Sequence, residues 1–207
     1  MRTKILLTLF LLSTLLFVNS LAQVLPLVYH VENTGANCPI PYLPSFNELP
    51  TVPSLPDPFK WTDGRGRIVN FSDWRVRRAE IGAEIQRYEI GEKPVRPESI
   101  QASYSGGVLT VIITVNGQTL TLTSQVILPT GNGPFPAVIG MNSPSGSIPS
   151  SIFSSRNIAQ ITFNHNQVTT YNSPSNGDAY YRLYPHLNID NTGQYSAWAW
   201  GVSRIID

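Results

Sequence analysis

The stretch from Val108 to Leu128 limits the possible folds more than any other part of the chain. Val108 to Val115 is rich in β-branched residues, and Gln118 to Leu128 alternates threonine with apolar side chains. Between them stands Asn116-Gly117, the pair that best tolerates the positive φ angles of a two-residue hairpin turn. Two antiparallel strands are therefore predicted to open a sheet. Pro134-Phe135-Pro136 then leads into Ala137-Val138-Ile139-Gly140, an apolar run expected to form a strand buried on both faces, as in a parallel or mixed sheet. Met141 to Pro149 comes next as a loop of Gly, Ser, Asn and Pro. Such a loop at a strand's carboxyl end is where α/β folds place their sites, although it serves equally well as a plain crossover. Ile158-Ala159-Gln160-Ile161-Thr162-Phe163 predicts a further strand, ending in the polar run Asn164-His165-Asn166-Gln167.

Helical spacing brackets this sheet. Trp61-Thr62-Asp63-Gly64 predicts a turn, and Ser72 or Asp73 is positioned to cap a helix running to about Ile90 and stopping at Gly91. Ile81, Ile85 and Tyr88 are expected on its buried stripe, with Arg75, Arg77 and Arg78 on a solvated face. At the other end, Tyr195 to Asp207 reads as a second helix, capped by Asn191 or Thr192. Trp198, Val202 and Ile205 share its apolar face, with Arg204 and Asp207 off it.

Gly201-Val202-Ser203-Arg204-Ile205 within that helix is a near miss for a nucleophile elbow. The elbow needs Gly-x-Ser-x-Gly, because the strand-to-helix turn leaves no room for a side chain at the last position. Ile205, large and β-branched, stands there instead, so Ser203 is expected to be an ordinary helical serine rather than a nucleophile.

Residues Met1 to Ala22 carry Arg2 and Lys4, an apolar core from Ile5 to Val18, and a small-x-small ending, Ser20-Leu21-Ala22. This is the pattern of a secretory signal peptide, and its apolar run is shorter than the roughly 20 residues of a membrane span. The expected location is secreted and extracellular, with no membrane partner after signal removal. Asn70-Phe71-Ser72 is then an N-glycosylation sequon. Seven prolines between Pro39 and Pro58 exclude helix and central strand. The apolar Tyr42, Phe46, Leu49 and Phe59 suggest that residues 23–60 form an extended strap lying on a domain of residues 61–207.

The formal net charge of +1, with 13% charged residues, gives no clustered basic face for nucleic acid. His30, His165 and His186 fit no metal-ligand spacing, so neither metal nor cofactor is expected. His165 is read as structural or solvated. Cys38 is the only cysteine, which in a secreted chain means a missing partner, an intermolecular bridge or a buried free thiol. Tyr180, Tyr181 and Tyr184 are dense enough to stack on sugars, though anchoring a long loop is the commoner use.

Several runs resemble a known family. Leu55-Pro56-Asp57-Pro58-Phe59, Asp73-Trp74 with Arg77-Arg78-Ala79-Glu80-Ile81, and Tyr88-Glu89-Ile90-Gly91 are similar to the start of glucuronoyl esterases, carbohydrate esterase family 15. The likeness continues through Phe135-Pro136-Ala137-Val138-Ile139-Gly140 and Ile161-Thr162-Phe163-Asn164. It is most specific at Ala197-Trp198-Ala199-Trp200-Gly201-Val202-Ser203-Arg204-Ile205-Ile206-Asp207, which resembles the helix preceding that family's nucleophile strand.

The resemblance implies the amino-terminal half of an α/β-hydrolase-like three-layer sandwich, with an antiparallel hairpin leading into a parallel sheet. It also implies a secreted serine esterase acting on the ester between 4-O-methyl-glucuronic acid of xylan and a lignin alcohol. Glucuronoxylan or a lignin-carbohydrate ester would be the partner. The family's motif Gly-Cys-Ser-Arg-Asn-Gly-Lys has no match here, so no catalytic residue is assigned and residues 61–207 are expected to lack the elbow. The fungal pattern Trp-x-Cys-Arg-Arg has Val76 where a cysteine would bridge the amino-terminal one, which points to a free Cys38. A non-catalytic carbohydrate-binding or structural module on the same scaffold is the alternative.

Overall fold

The structure, a computed structural model, describes residues 23–25 and 37–207. The signal-peptide expectation for residues 1–22, and His30, lie outside the described residues. Among the described residues six strands form one sheet in the order β1-β2-β3-β4-β6-β5: β1 (Gln23–Leu25), β2 (Ser99–Ser105), β3 (Val108–Val115), β4 (Gln118–Ile127), β5 (Ala137–Met141) and β6 (Ala159–Phe163). All neighbours are antiparallel except β5 and β6.

The predicted hairpin is present. Val115 faces Gln118, and the turn residues take φ of 48° at Asn116 and 74° at Gly117. A second hairpin, absent from the sequence reading, turns on Gly106-Gly107, with Ser105 facing Val108. Val111, Ile113, Val115 and Leu122 point to one buried face, while Ile112 on the other is 39% exposed. That alternation is the signature of a sheet covered on one side.

The expected two-sided burial of residues 137–140 is not found. Ala137 and Met141 are exposed, Val138 and Ile139 are partly buried, and only Gly140 is fully buried. The reason is position, since β5 lies at one edge of the sheet among the described residues.

Four α-helices complete the described residues: α1 (Trp74–Ile85), α2 (Ser150–Ser155), α3 (Ala179–Leu183) and α4 (Gln194–Ile206). A π turn, Gln86–Ile90, prolongs α1 to the predicted stop at Gly91, whose φ is +83°. The side chains of α1 depart from the expected faces. Arg77 is buried (6% exposed), whereas Ile85 is 43% exposed. Arg77 Nη1 donates to Glu80 Oε2 at 3.0 Å and to Thr62 Oγ1 at 2.7 Å, and its Nε donates to the Pro58 carbonyl at 3.1 Å. A side chain that carries its own counter-ion and acceptors can leave water, and hydropathy spacing does not register such pairing.

Pro39 to Pro58 runs extended apart from one 3-10 turn, Phe46–Glu48. Its apolar residues do not hold it down, since Tyr42, Phe46 and Leu55 are 81%, 74% and 96% exposed. The segment is tied instead by polar contacts to α1 and its π turn. Besides the Arg77 bond to Pro58, Tyr88 Oη donates to the Pro44 carbonyl at 2.8 Å. Cys38 is buried and free.

α3 and α4 cover the buried face of the sheet. Tyr180, Tyr181, Leu183, Tyr184, Ala197, Trp200 and Ile205 join the strand residues in one core. The three tyrosines are thus anchors: Tyr181 Oη donates to the Thr192 carbonyl at 2.7 Å, and Tyr184 Oη accepts from Trp200 Nε1 at 3.1 Å. The cap of α4 is Gly193, not Asn191 or Thr192. Gly193 N donates to Ile90 O at 2.9 Å, so the cap position follows from the chain's approach to α1's extension.

Candidate functional site

In α/β folds, sites gather outside the carboxyl ends of the strands. At that end of β5 and β6 lie Asn142, the polar run from Asn164, and the first turns of α4. His165 is the centre of this group. It is 7% exposed, and its ring stacks on Trp198 with centroids 4.5 Å apart at 28°. Asn142 Nδ2 lies 2.8 Å from His165 Nε2, and Asn166 Oδ1 lies 3.2 Å from Nδ1. The pair fits a neutral imidazole whose Nε2 accepts and whose Nδ1 donates. Both nitrogens are therefore occupied by amides, an arrangement that holds an imidazole still rather than leaving it a lone pair for proton transfer. Asn142 reaches the ring because its backbone is left-handed, with φ of 54°.

Ser203 lies inside an unbroken helix. Its hydroxyl donates to the Ala199 carbonyl at 3.0 Å and accepts from Lys93 Nζ at 3.0 Å. The serine's own proton is turned to the Ala199 carbonyl, away from the lysine nitrogen. Neither of Ser203's partners is His165, so these two residues form no serine–histidine dyad.

Gly201 has a reason of its own within α4. A Cβ at that position would stand 2.7 Å from Phe163 Cζ and 2.8 Å from Val168 Cγ2. Glycine here lets the helix backbone press on the end of β6, which explains a glycine that neither starts nor ends a helix. Arg204 also departs from expectation. It is 1% exposed, with Nε 2.8 Å from Asp207 Oδ2 and its guanidinium 5.7 Å from the Trp200 ring centroid. A local carboxylate and a ring face take the place of water around the guanidinium.

Elsewhere, a shallow concavity of about 280 Å³ lies between β4, β6 and α2, lined by Ile127, Leu128, Phe153, Ile158 and Gln160. It holds no titratable group and sits at the amino end of β6, opposite His165. No group of three or more His, Cys, Asp or Glu side chains converges among the described residues. Asn142, Asn166 and the Trp198 stack were missed by sequence reasoning. The signal available was the run Asn164-His165-Asn166 directly after a strand.

An antiparallel hairpin feeding a parallel pair, with a polar loop and short helix as crossover and α4 packed on the sheet, defines an α/β-hydrolase-like protein. The glucuronoyl esterase catalytic domain of Hypocrea jecorina superposes with a TM-score of 0.67 at 32% identity, over 80% of this chain and 44% of that one. The Sporotrichum thermophile glucuronoyl esterase gives 0.62 at 37% identity, over 74% and 40%. The family model for fungal glucuronyl esterases matches residues 111–207. The 4-O-methyl-glucuronoyl methylesterase of Thermothelomyces thermophilus is 39% identical over 165 residues, 78% of this chain and 39% of that protein. Over these residues the chain is similar to the glucuronoyl esterases. It spans about two fifths of the length of the curated relatives it matches.

Proposed function

We propose that this chain is the scaffold portion of a secreted serine-type glucuronoyl esterase, which cleaves the ester between 4-O-methyl-glucuronic acid on xylan and a lignin alcohol. The observation that carries the reading is the similarity to a Sporotrichum thermophile esterase captured, as a serine-to-alanine variant, with methyl 4-O-methyl-β-D-glucopyranuronate. That structure is 38% identical over 74% of this chain. In such chemistry a serine attacks the ester carbonyl, a histidine moves its proton, an acid orients the histidine, and fixed donors hold the oxyanion. His165 and Ser203 take none of these roles, because each is bonded to other groups. The 207 residues by themselves are accordingly inactive on the ester.

Secretion and glycosylation belong to the same proposal. Among the described residues no helix is long and apolar enough to cross a membrane. Asn70 is exposed on extended backbone (φ −123°, ψ 151°) between Val69 and Phe71, which are 86% and 91% exposed. A glycan there would shield two apolar side chains from water. Release of a glycan by an amidase, with loss of the mass shift in Asn70→Gln, would support this modification.

The experiment for the esterase reading is to sequence the transcript past the codon for Asp207 and express the chain together with the residues encoded downstream. A Gly-x-Ser-Arg-x-Gly-Lys segment, with hydrolysis of methyl 4-O-methyl-glucuronate that its serine-to-alanine variant lacks, supports the proposal. A stop codon directly after Asp207 would instead favour the non-catalytic module.

A further inference from the structure

Tyr171 and Tyr195 are the water-facing members of the aromatic group around His165. They are 55% and 70% exposed, while the rings beneath them, Trp198 and His165, are each 7% exposed. Tyr195 meets Trp198 edge-on at 5.4 Å, and Tyr171 lies 5.9 Å from Trp198 and 5.6 Å from His165. Tyr42, Phe46 and Phe71 are at least as exposed, but among the described residues none of them stands on a buried ring. The tyrosine pair is also braced by backbone bonds. Tyr171 N donates to Asn166 Oδ1 at 2.9 Å, Trp198 Nε1 donates to the Thr169 carbonyl at 3.3 Å, and Gln194 Nε2 donates to the Thr170 carbonyl at 2.5 Å. Loop 169–171 is thereby fastened to the first turns of α4.

We propose that Tyr171 and Tyr195, seated on Trp198 beside Asn142 and Asn166, form a stacking platform for the xylose rings of a glucuronoxylan backbone. The choice of polysaccharide rests on the esterase reading above. A pyranose ring has an apolar C–H face and a hydroxyl perimeter. Its receptor therefore needs held aromatic rings with amides close by, and both are present. Xylose carries no exocyclic hydroxymethyl group, so either face can approach a ring without obstruction. The platform also lies at the carboxyl end of β5 and β6, the side on which sheet ligands bind.

The test is titration of the 207-residue chain with xylohexaose, monitored by tryptophan fluorescence and calorimetry, with cellohexaose for comparison. Xylohexaose binds, and Tyr171→Ala and Tyr195→Ala each weaken it about twofold to tenfold, the range expected for loss of one aromatic stack. Tyr171→Phe and Tyr195→Phe retain the affinity, because the ring and not the hydroxyl makes the contact. Both positions are exposed, so circular dichroism and the melting midpoint stay unchanged in all four variants. No binding by the parent chain, or equal binding by the alanine variants, overturns the platform. Ring-dependent xylohexaose binding without ester hydrolysis by the extended chain would sink the esterase reading and leave the platform standing. Ester hydrolysis without ring-dependent binding would do the reverse.

Discussion

Replacing Gly201 by alanine sets two effects against each other. In a helix interior alanine is favoured over glycine by about 1 kcal/mol. The added methyl would, however, come within 2.7 Å and 3.1 Å of two Phe163 ring carbons and 2.8 Å of Val168 Cγ2. Ordinary carbon contacts lie near 3.5–4.0 Å. Phe163 and Val168 are both 0% exposed, so neither can swing into solvent, and a close-packed interior has no spare volume for them. Forcing an extra carbon into such a place costs about 1–3 kcal/mol. With two neighbours violated, the upper half of that range applies, and the net loss is about 1–2 kcal/mol after the helix gain. Gly82 in α1 is the internal control, because a Cβ there meets nothing within 4 Å. Gly82→Ala retains only the gain, about 0.5–1 kcal/mol. Urea unfolding at low micromolar concentration, monitored by tryptophan fluorescence, reads both. The midpoint falls for Gly201→Ala and rises for Gly82→Ala. A rise for both would show that α4 does not press on β6 at Gly201.

Three further outcomes rest on buried polar groups and the sheet edge. Glu80→Ala leaves Arg77 buried without its counter-ion and destabilises by about 3–5 kcal/mol; the joint change Arg77→Met with Glu80→Leu costs much less, and equal losses in urea would refute the pairing. Tyr180 is 0% exposed, and its hydroxyl has no hydrogen-bond partner among the described residues. Tyr180→Phe should then raise stability by about 1 kcal/mol, since it removes an unpaired buried hydroxyl and keeps the ring. Burial pushes the Tyr180 phenol well above its ordinary range, with Tyr184 and Tyr181 adding to the shift. The neutral form is thus the one the fold favours: its stabilisation is complete below the unfolded tyrosine value of about 10 and is lost as pH rises from there toward the folded value. Tyr180→Phe should accordingly blunt unfolding at alkaline pH, which a pH melt series checks. Finally, among the described residues β5 is an edge strand with exposed apolar residues, so Ala137→Lys should raise the concentration at which the chain scatters light. Unchanged scattering would locate the sticky surface elsewhere.

The parts of the fold legible in the sequence were those governed by local chemistry. The Asn116-Gly117 turn, the alternation on either side of it and the Gly91 stop each arise from backbone preferences of a few neighbouring residues. What escaped depended on distant partners. Charge alone places Arg77 on a solvated face and Arg204 off the apolar stripe, yet both are buried because Glu80 and Asp207 stand one helical turn away. The apolar strap residues are expected to be covered, yet Tyr42 and Phe46 are exposed, because the strap is held through its carbonyls. Around the candidate site, Ile205 sufficed to read Ser203 as an ordinary helical serine. The Asn142–His165 bond joins residues 23 apart across a crossover, and no local pattern announces it.

Turnover of methyl 4-O-methyl-glucuronate by the 207-residue chain, beside its Ser203→Ala variant, tests whether the reacting serine lies within these residues. Neither protein should release acid above the rate of uncatalysed hydrolysis, because Ser203 is bonded to Lys93 and Ala199 within a continuous helix. Hydrolysis by the parent chain that disappears in Ser203→Ala would contradict this.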